Sequence, residues 1–252
     1  MNRYFIEVAY KGKKYAGFQI QKNAVTIQHE VEQALYTFFR MRFLLTGSSR
    51  TDAGVHALQN FFHFDSIDII DNSTLYNLNA ILPGSVVIKS LKAVHNDAHC
   101  RFDALSREYK YFIYQQKDPF LEDTAYYYPY TLDLEHLAKA ANIIKGYLNF
   151  ESFAKRRTQV KTYDCYIQKS EWVQEKNCLV YNVTANRFLR GMVRGLVATM
   201  LQVGRGKITT FELEHLLTSK DSAKADFGAP AHGLFLIKVN YPNDYFKQSV
   251  EE

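Results

Sequence analysis

A chain of 252 residues that is 47% apolar and 15% aromatic can bury one large core or two modest ones without covalent staples. Its cysteines, Cys100, Cys165 and Cys178, are odd in number, far apart and never in a CxxC pair; this argues against a disulfide framework or zinc site and for a reducing, cytoplasmic setting. The N-terminal MNRYFIEVAYKGKKY lacks the apolar core of a signal peptide, and no apolar run approaches the roughly 20 residues that cross a bilayer, so no membrane association is expected.

Residues 3–10 (RYFIEVAY) alternate as a strand does, and Ile27, Val31, Leu35 and Phe38 recur at helical spacing after Thr26. Strand signals follow at Gln59–Phe64 and Val86–Val94, with a helix near Thr74–Ala80 between them. The second half opens on the alternating REYKYFIYQ. A helix over Leu134–Lys145 comes next, with Leu134, Leu137, Ala138, Ala141 and Ile144 as its apolar positions. Strands are expected at Tyr163–Val173 and Leu179–Thr184, then a helix near Phe188–Gln202 and a last strand at Leu234–Asn240. The two halves repeat a loosely similar order, which predicts two α+β subdomains, 1–103 and 104–252, that share an interface.

The stretch Gly47–Phe64, GSSRTDAGVHALQNFFHF, places small and polar residues between an apolar FLL and an aromatic strand. That is a loop on a rigid base, in which Arg50, Asp52 and His56 are the groups able to do chemistry. Taken alone, an Asp there more often caps a turn. Paired-carboxylate hydrolysis lacks a nearby second acid, since none lies between Asp52 and Asp65; no GxSxG elbow, GxxxxGK[ST] or GxGxxG stretch occurs either. His56 and His63 read as structural residues.

Net charge is +5, but its distribution matters more. Ala185–Lys207 carries five basic residues and no acid, and Lys11, Lys13, Lys14 and the run Lys155-Arg156-Arg157 add further clusters. Such patches suit a phosphate backbone, although each alone fits an ordinary solvated face equally well. Spacings of three and four would set Arg187, Arg190 and Arg194 along one stripe of the helix expected near Phe188–Gln202.

The octapeptide RTDAGVHA at Arg50–Ala57 resembles the signature of the tRNA pseudouridine synthase A family. Further segments resemble that family in order: YKGKKYAGFQIQ (10–21), NAILPGSV (79–86), HCRFDALSREYKYFIY (99–114), ANRFLRGMVRG (185–195) and APAHGL (229–234). The resemblance implies the pseudouridine synthase α+β fold, two similar subdomains sharing a bent, mostly antiparallel sheet with helices on one side. It also implies isomerisation of uridine in the anticodon stem-loop of tRNA at positions 38, 39 and 40, by a homodimer. Asp52 would be the catalytic carboxylate, Tyr109 the tyrosine over the target uracil, Arg194 the arginine paired with Asp52, and Arg50 a holder of the flipped-out nucleotide. Lys155 and Arg156 are expected to meet RNA. Two departures stand out: Ser48-Ser49 replace the family's usual Ala-Gly, and Phe18 stands where a tryptophan is expected.

Moving uracil from a nitrogen to a carbon linkage changes no oxidation state and adds no group, so neither cofactor nor metal is expected. One carboxylate suffices, as a nucleophile or as the base that takes a ribose proton, and a paired guanidinium would keep it ionised. Two rivals use the same residues. A non-catalytic RNA binder or chaperone gains nothing from a carboxylate set among phosphate-binding arginines. A carboxylate hydrolase of sugars or nucleosides needs an acid partner for Asp52.

Overall fold

The computed structural model describes residues 1–155 and 160–246. Contacts gather the chain into two units. One is Met1–Leu105 with Leu236–Glu252, and the other is Ser106–Phe235. Among the described residues there are nine strands and five α-helices, with only the short β5–β6 pair parallel among the registered strand pairs. This is the α+β arrangement expected.

In the first unit, β1 (Asn2–Tyr10) lies between β3 (His56–Ser66) and β4 (Val86–Val94), antiparallel to both. Tyr4, Ile6, Val8 and Tyr10 are buried at alternate positions, as on the core face of a strand, and Phe5 is buried on the other face against Phe61, His63 and Tyr241. The two-residue β2 (Thr46–Gly47) pairs with the middle of β3. Helix α1 (Ile27–Phe39) starts where the Thr26 side chain accepts from His29 N–H at 3.2 Å, and it buries Ile27, Val31, Ala34 and Leu35. Phe38, expected on that face, sits at the surface edge-on to Phe39. Helix α2 spans Thr74–Ile81.

The second unit holds β5 (Ser106–Tyr114), β6 (Tyr126–Tyr127), α3 (Leu134–Gly146), β7 (Ile167–Glu175), β8 (Cys178–Ala185), α4 (Met192–Gly204) and α5 (Thr210–Ser219). Strand β8 lies between β5 and β7, antiparallel to both, while β9 (Leu234–Asn240) begins here and runs into the first unit. Asp133 caps α3 by accepting from His136 N–H at 2.9 Å. The buried stripe of α3 is Leu137, Ala140, Ala141 and Ile144; Leu134 and Ala138 are exposed, one position off the expected face. Helix α5 has no counterpart among the expected elements, although Thr209 and Glu212 form a capping box that TxxE spells out.

Helix α4 begins at Met192, after Gly191 at φ 75°, and not near Phe188. A left-handed residue cannot continue a right-handed helix, so Arg187 and Arg190 fall in the preceding loop. The expected three-arginine stripe therefore does not form, and Arg194 alone lies in the helix.

Candidate active site

The Asp52 loop is built from the strand that follows it. Pairing of β2 with β3 returns the chain so that Ser48 N–H donates to Phe61 O at 2.8 Å. Fully buried Asn60 then donates from Nδ2 to Ser49 O (2.8 Å) and to the Tyr10 hydroxyl (3.2 Å). The Tyr10 hydroxyl and Thr51 Oγ1 lie 2.8 Å apart. Burial pushes the Tyr10 phenol well above its ordinary value, so it stays protonated and able to donate. These buried bonds fix Thr51 inward, leaving Arg50 exposed and Asp52 half-exposed on either side.

The segment 10–21 is the cradle of this loop. Phe18 N–H donates to Thr51 O (3.2 Å), Gly54 N–H to Tyr15 O (3.3 Å) and Gly12 N–H to His56 Nδ1 (3.2 Å). Backbone lies on backbone here. A Cβ at Gly12 would overlap the Val55 carbonyl, and one at Gly17, which is at φ 104°, would come within 2.9 Å of Thr51 O. Val55 N–H donates to Asp52 O at 3.2 Å with Gly54 at φ 83°, so the backbone of Asp52 closes a tight turn.

Both departures from the family pattern lie in this scaffold. Phe18 is buried flat against Phe62, with centroids 4.3 Å apart and planes 8° from parallel. A Cβ on Gly47 would come 2.5 Å from the Phe18 ring, so the ring and the glycine require each other. Ser48 and Ser49 are buried, and the Ser48 hydroxyl is 3.4 Å from that of Ser49 and 3.5 Å from that of Tyr241.

In the second unit, Tyr109 lies on β5 opposite Val183 of β8, 7% exposed, with Phe188 edge-on at 5.0 Å. Arg194 occupies the first turn of α4. Its Nε donates to Ala229 O at 2.6 Å and its Nη2 to Phe227 O at 3.5 Å. The Lys155 stem crosses Gly191, where a Cβ would meet its Cγ at 2.8 Å, and its ammonium lies 5.9 Å from the Phe227 ring centre. Two cations thus share one local scaffold at the start of α4, a helix with no acid in its first turn. A helix start carries partial positive charge and favours an anion.

The sequence as a whole decides the family. The chain is 42% identical to the tRNA pseudouridine synthase A of Parabacteroides distasonis over 98% of each chain, and 41% identical to that of Bacteroides thetaiotaomicron over 100% of this chain and 95% of the relative. The Staphylococcus aureus protein of the same name is 37% identical over 94% and 91%. A family model described as tRNA pseudouridine synthase matches residues 140–242. The chain belongs to the tRNA pseudouridine synthase A family.

Within this pseudouridine synthase, the residues singled out fall into two groups. Arg50, Asp52 and His56 share the loop of the first unit; Tyr109, Lys155 and Arg194 lie in the second. Arg156, expected to meet RNA, lies outside the described residues, as does Arg157. His56 is buried and accepts a backbone N–H through Nδ1, which assigns its ring proton to Nε2. His63 accepts from Cys100 N–H at 3.3 Å; burial, with the charges of His99 and Arg3 assisting, lowers its pKa to about 4, so it is neutral near pH 7. The three cysteines are buried thiols, and burial pushes Cys165 up to about 11. Among the described residues no group of three or more His, Cys, Asp or Glu is placed to hold a metal ion, and no helix is long and apolar enough to cross a membrane. Sequence reasoning missed the clamp of Phe227 and Ala229 on Arg194, because backbone carbonyls leave no mark in residue type.

Proposed function

We propose that this chain isomerises uridine to pseudouridine in tRNA, at positions 38, 39 and 40 of the anticodon stem-loop, with Asp52 as the catalytic carboxylate. The observation that carries the reading is the RTDAGVHA loop, pinned from within so that Asp52 is presented half-exposed, in a chain 42% identical to a named tRNA pseudouridine synthase A. The cytoplasm, where tRNA is processed, is the proposed setting, and a homodimer the proposed assembly.

In this reaction the bond from ribose C1′ to uracil N1 breaks, the base turns, and C1′ bonds to C5. The proton on C5 is lost while N1 gains one, so atoms and electrons balance without an external oxidant, group donor or cofactor. Asp52 acts as a nucleophile toward sugar or base, or as the base that removes a ribose proton. Arg194 keeps that carboxylate ionised once water is excluded, because an adjacent guanidinium favours the charged form. A base taken out of its stack costs a few kcal/mol, which Tyr109 offsets as a stacking surface and Arg50 by holding the flipped-out nucleotide. Lys155 and Arg156 contact the RNA backbone. The carboxylate among cations favours this reading over a non-catalytic RNA binder, in which Asp52 would only repel the ligand.

The test is incubation with unmodified tRNA transcripts, followed by mapping of pseudouridine along each. Pseudouridine confined to positions 38–40 is the expected result. Binding without product supports the RNA-binder rival, and product elsewhere overturns the anticodon assignment.

A further inference from the structure

We infer that Tyr111 is a positioning residue for Arg194, acting through the Ala229–Gly233 segment; this rests on the role given to Arg194 under Proposed function. Arg194 is held by two carbonyls, Ala229 O at 2.6 Å and Phe227 O at 3.5 Å, from a stretch with no helix or strand of its own. A guanidinium is a rigid plane with five N–H donors. Two directed at fixed carbonyls set that plane and aim the remaining three. Its orientation is therefore only as well defined as the carbonyls are.

Two polar anchors fix those carbonyls. Upstream, Asp226 accepts from Gly228 N–H (2.7 Å) and from Gln202 Nε2 of α4 (2.8 Å). Downstream, the Tyr111 hydroxyl donates to Pro230 O at 2.8 Å, one residue beyond the Ala229 carbonyl on Arg194 Nε. Tyr111 is fully buried on β5, two residues from Tyr109 and on the same face of the strand. Burial pushes its phenol far above the ordinary range, with the charge of Arg194 opposing from nearby, so the hydroxyl remains a donor. The ring is as constrained as the hydroxyl. Ala231–Gly233 forms a single 3-10 turn against it, and a Cβ on Gly233 would come 2.8 Å from Tyr111 Cζ. The family segments REYKYFIY and APAHGL thus meet in one contact whose near end is the arginine clamp.

The test is Tyr111→Phe, which keeps the ring and removes only the bond to Pro230. Single-turnover pseudouridine formation at saturating enzyme is expected to fall about 10-fold, since small misplacements of a reacting group cost up to about 100-fold. Affinity for tRNA and thermal midpoint should stay close to wild type. In an Arg194→Lys background the same substitution should add no further loss, because both changes act on one device. An unchanged turnover rate with a lowered thermal midpoint overturns the inference and leaves Tyr111 a purely structural residue. An undiminished further loss in the Arg194→Lys background also overturns it, because the effect would then bypass Arg194. Full turnover by Arg194→Lys itself overturns the role of Arg194 and this inference together, which separates the two failures. Should Tyr111→Phe not fold, Gly233→Ala, which crowds the same ring and is expected to lower the thermal midpoint, is read in the same cycle by turnover alone: a fall that vanishes in the Arg194→Lys background supports the inference, and an unchanged rate or an undiminished further loss overturns it.

Discussion

Asp52 and Arg194 are presented by opposite devices. Asp52 stands on a loop whose backbone is pressed against another backbone, with Gly12 and Gly17 making the approach possible and the Asn60–Tyr10–Thr51 bonds holding it from beneath. Arg194 stands on a helix, so its backbone is set by local hydrogen bonding, and its guanidinium is aimed by carbonyls 33 and 35 residues further along the chain. The loop fixes a short side chain by fixing its backbone. The helix leaves a long side chain to be fixed at its tip, which is the need that the 227–233 segment meets.

The comparison is sharpest in the chemistry. Asp52→Asn keeps the shape of the side chain and deletes the charge that the proposed mechanism requires, so product formation should fall by roughly 100- to 10,000-fold or more while tRNA binding holds or tightens. Arg194→Lys should lose less, because a point charge still favours the ionised carboxylate while the planar fork is gone. Rapid-quench assays beside filter binding on the same proteins check both. Measurable turnover by Asp52→Asn comparable to Arg194→Lys would remove the distinction.

Tyr109 is expected to divide in the same way. Tyr109→Phe should retain most tRNA affinity and lose most turnover, since the ring still stacks whereas the hydroxyl is gone. Tyr109→Ala should also lose about 1–3 kcal/mol of binding, the usual worth of one base on an aromatic ring. Equal turnover in wild type and Tyr109→Phe would make the residue a platform only.

The scaffolds should fail differently as well. Gly12→Ala drives a methyl into the Val55 carbonyl and should cost about 1–3 kcal/mol of stability, with turnover falling alongside. Gly191→Ala meets only the flexible stem of Lys155 but forces a left-handed alanine, at a cost of about 1–2 kcal/mol. Thermal melts with single-turnover rates separate the two. A Gly12→Ala protein as stable and active as wild type would show that the cradle is not tight.

The smallest effect concerns the RNA footprint. Lys155→Ala with Arg156→Ala should leave the rate at saturation nearly unchanged while weakening binding, and should flatten the dependence of log affinity on log salt by about 0.7 to 0.9 for each phosphate that the two cations neutralise. Filter binding across a salt series reads it. An unchanged slope would remove these two cations from the footprint and leave the carboxylate's role intact.

Much of this was readable from local pattern. The alternation of RYFIEVAY, the Thr26 cap and the REYKYFIY strand mark elements whose period and capping are decided within a few residues, and RTDAGVHA marks the loop within eight. What local pattern misjudged was the start of α4. Arg187, Arg190 and Arg194 have helical spacing, but spacing does not reveal that Gly191 takes φ 75°, a choice made where the Lys155 stem crosses it. The contacts that give the motifs their use were likewise outside its reach. That YKGKKYAGFQIQ cradles the Asp52 loop, and that APAHGL supplies a carbonyl each to Arg194 and Tyr111, depends on groups brought together across 41 positions for the Tyr10 and Thr51 hydroxyls, 35 for Arg194 and Ala229, and 119 for Tyr111 and Pro230. Residue type determines which side chains can do chemistry; every residue has the same carbonyl, so only the tertiary structure decides which carbonyl holds which side chain in place.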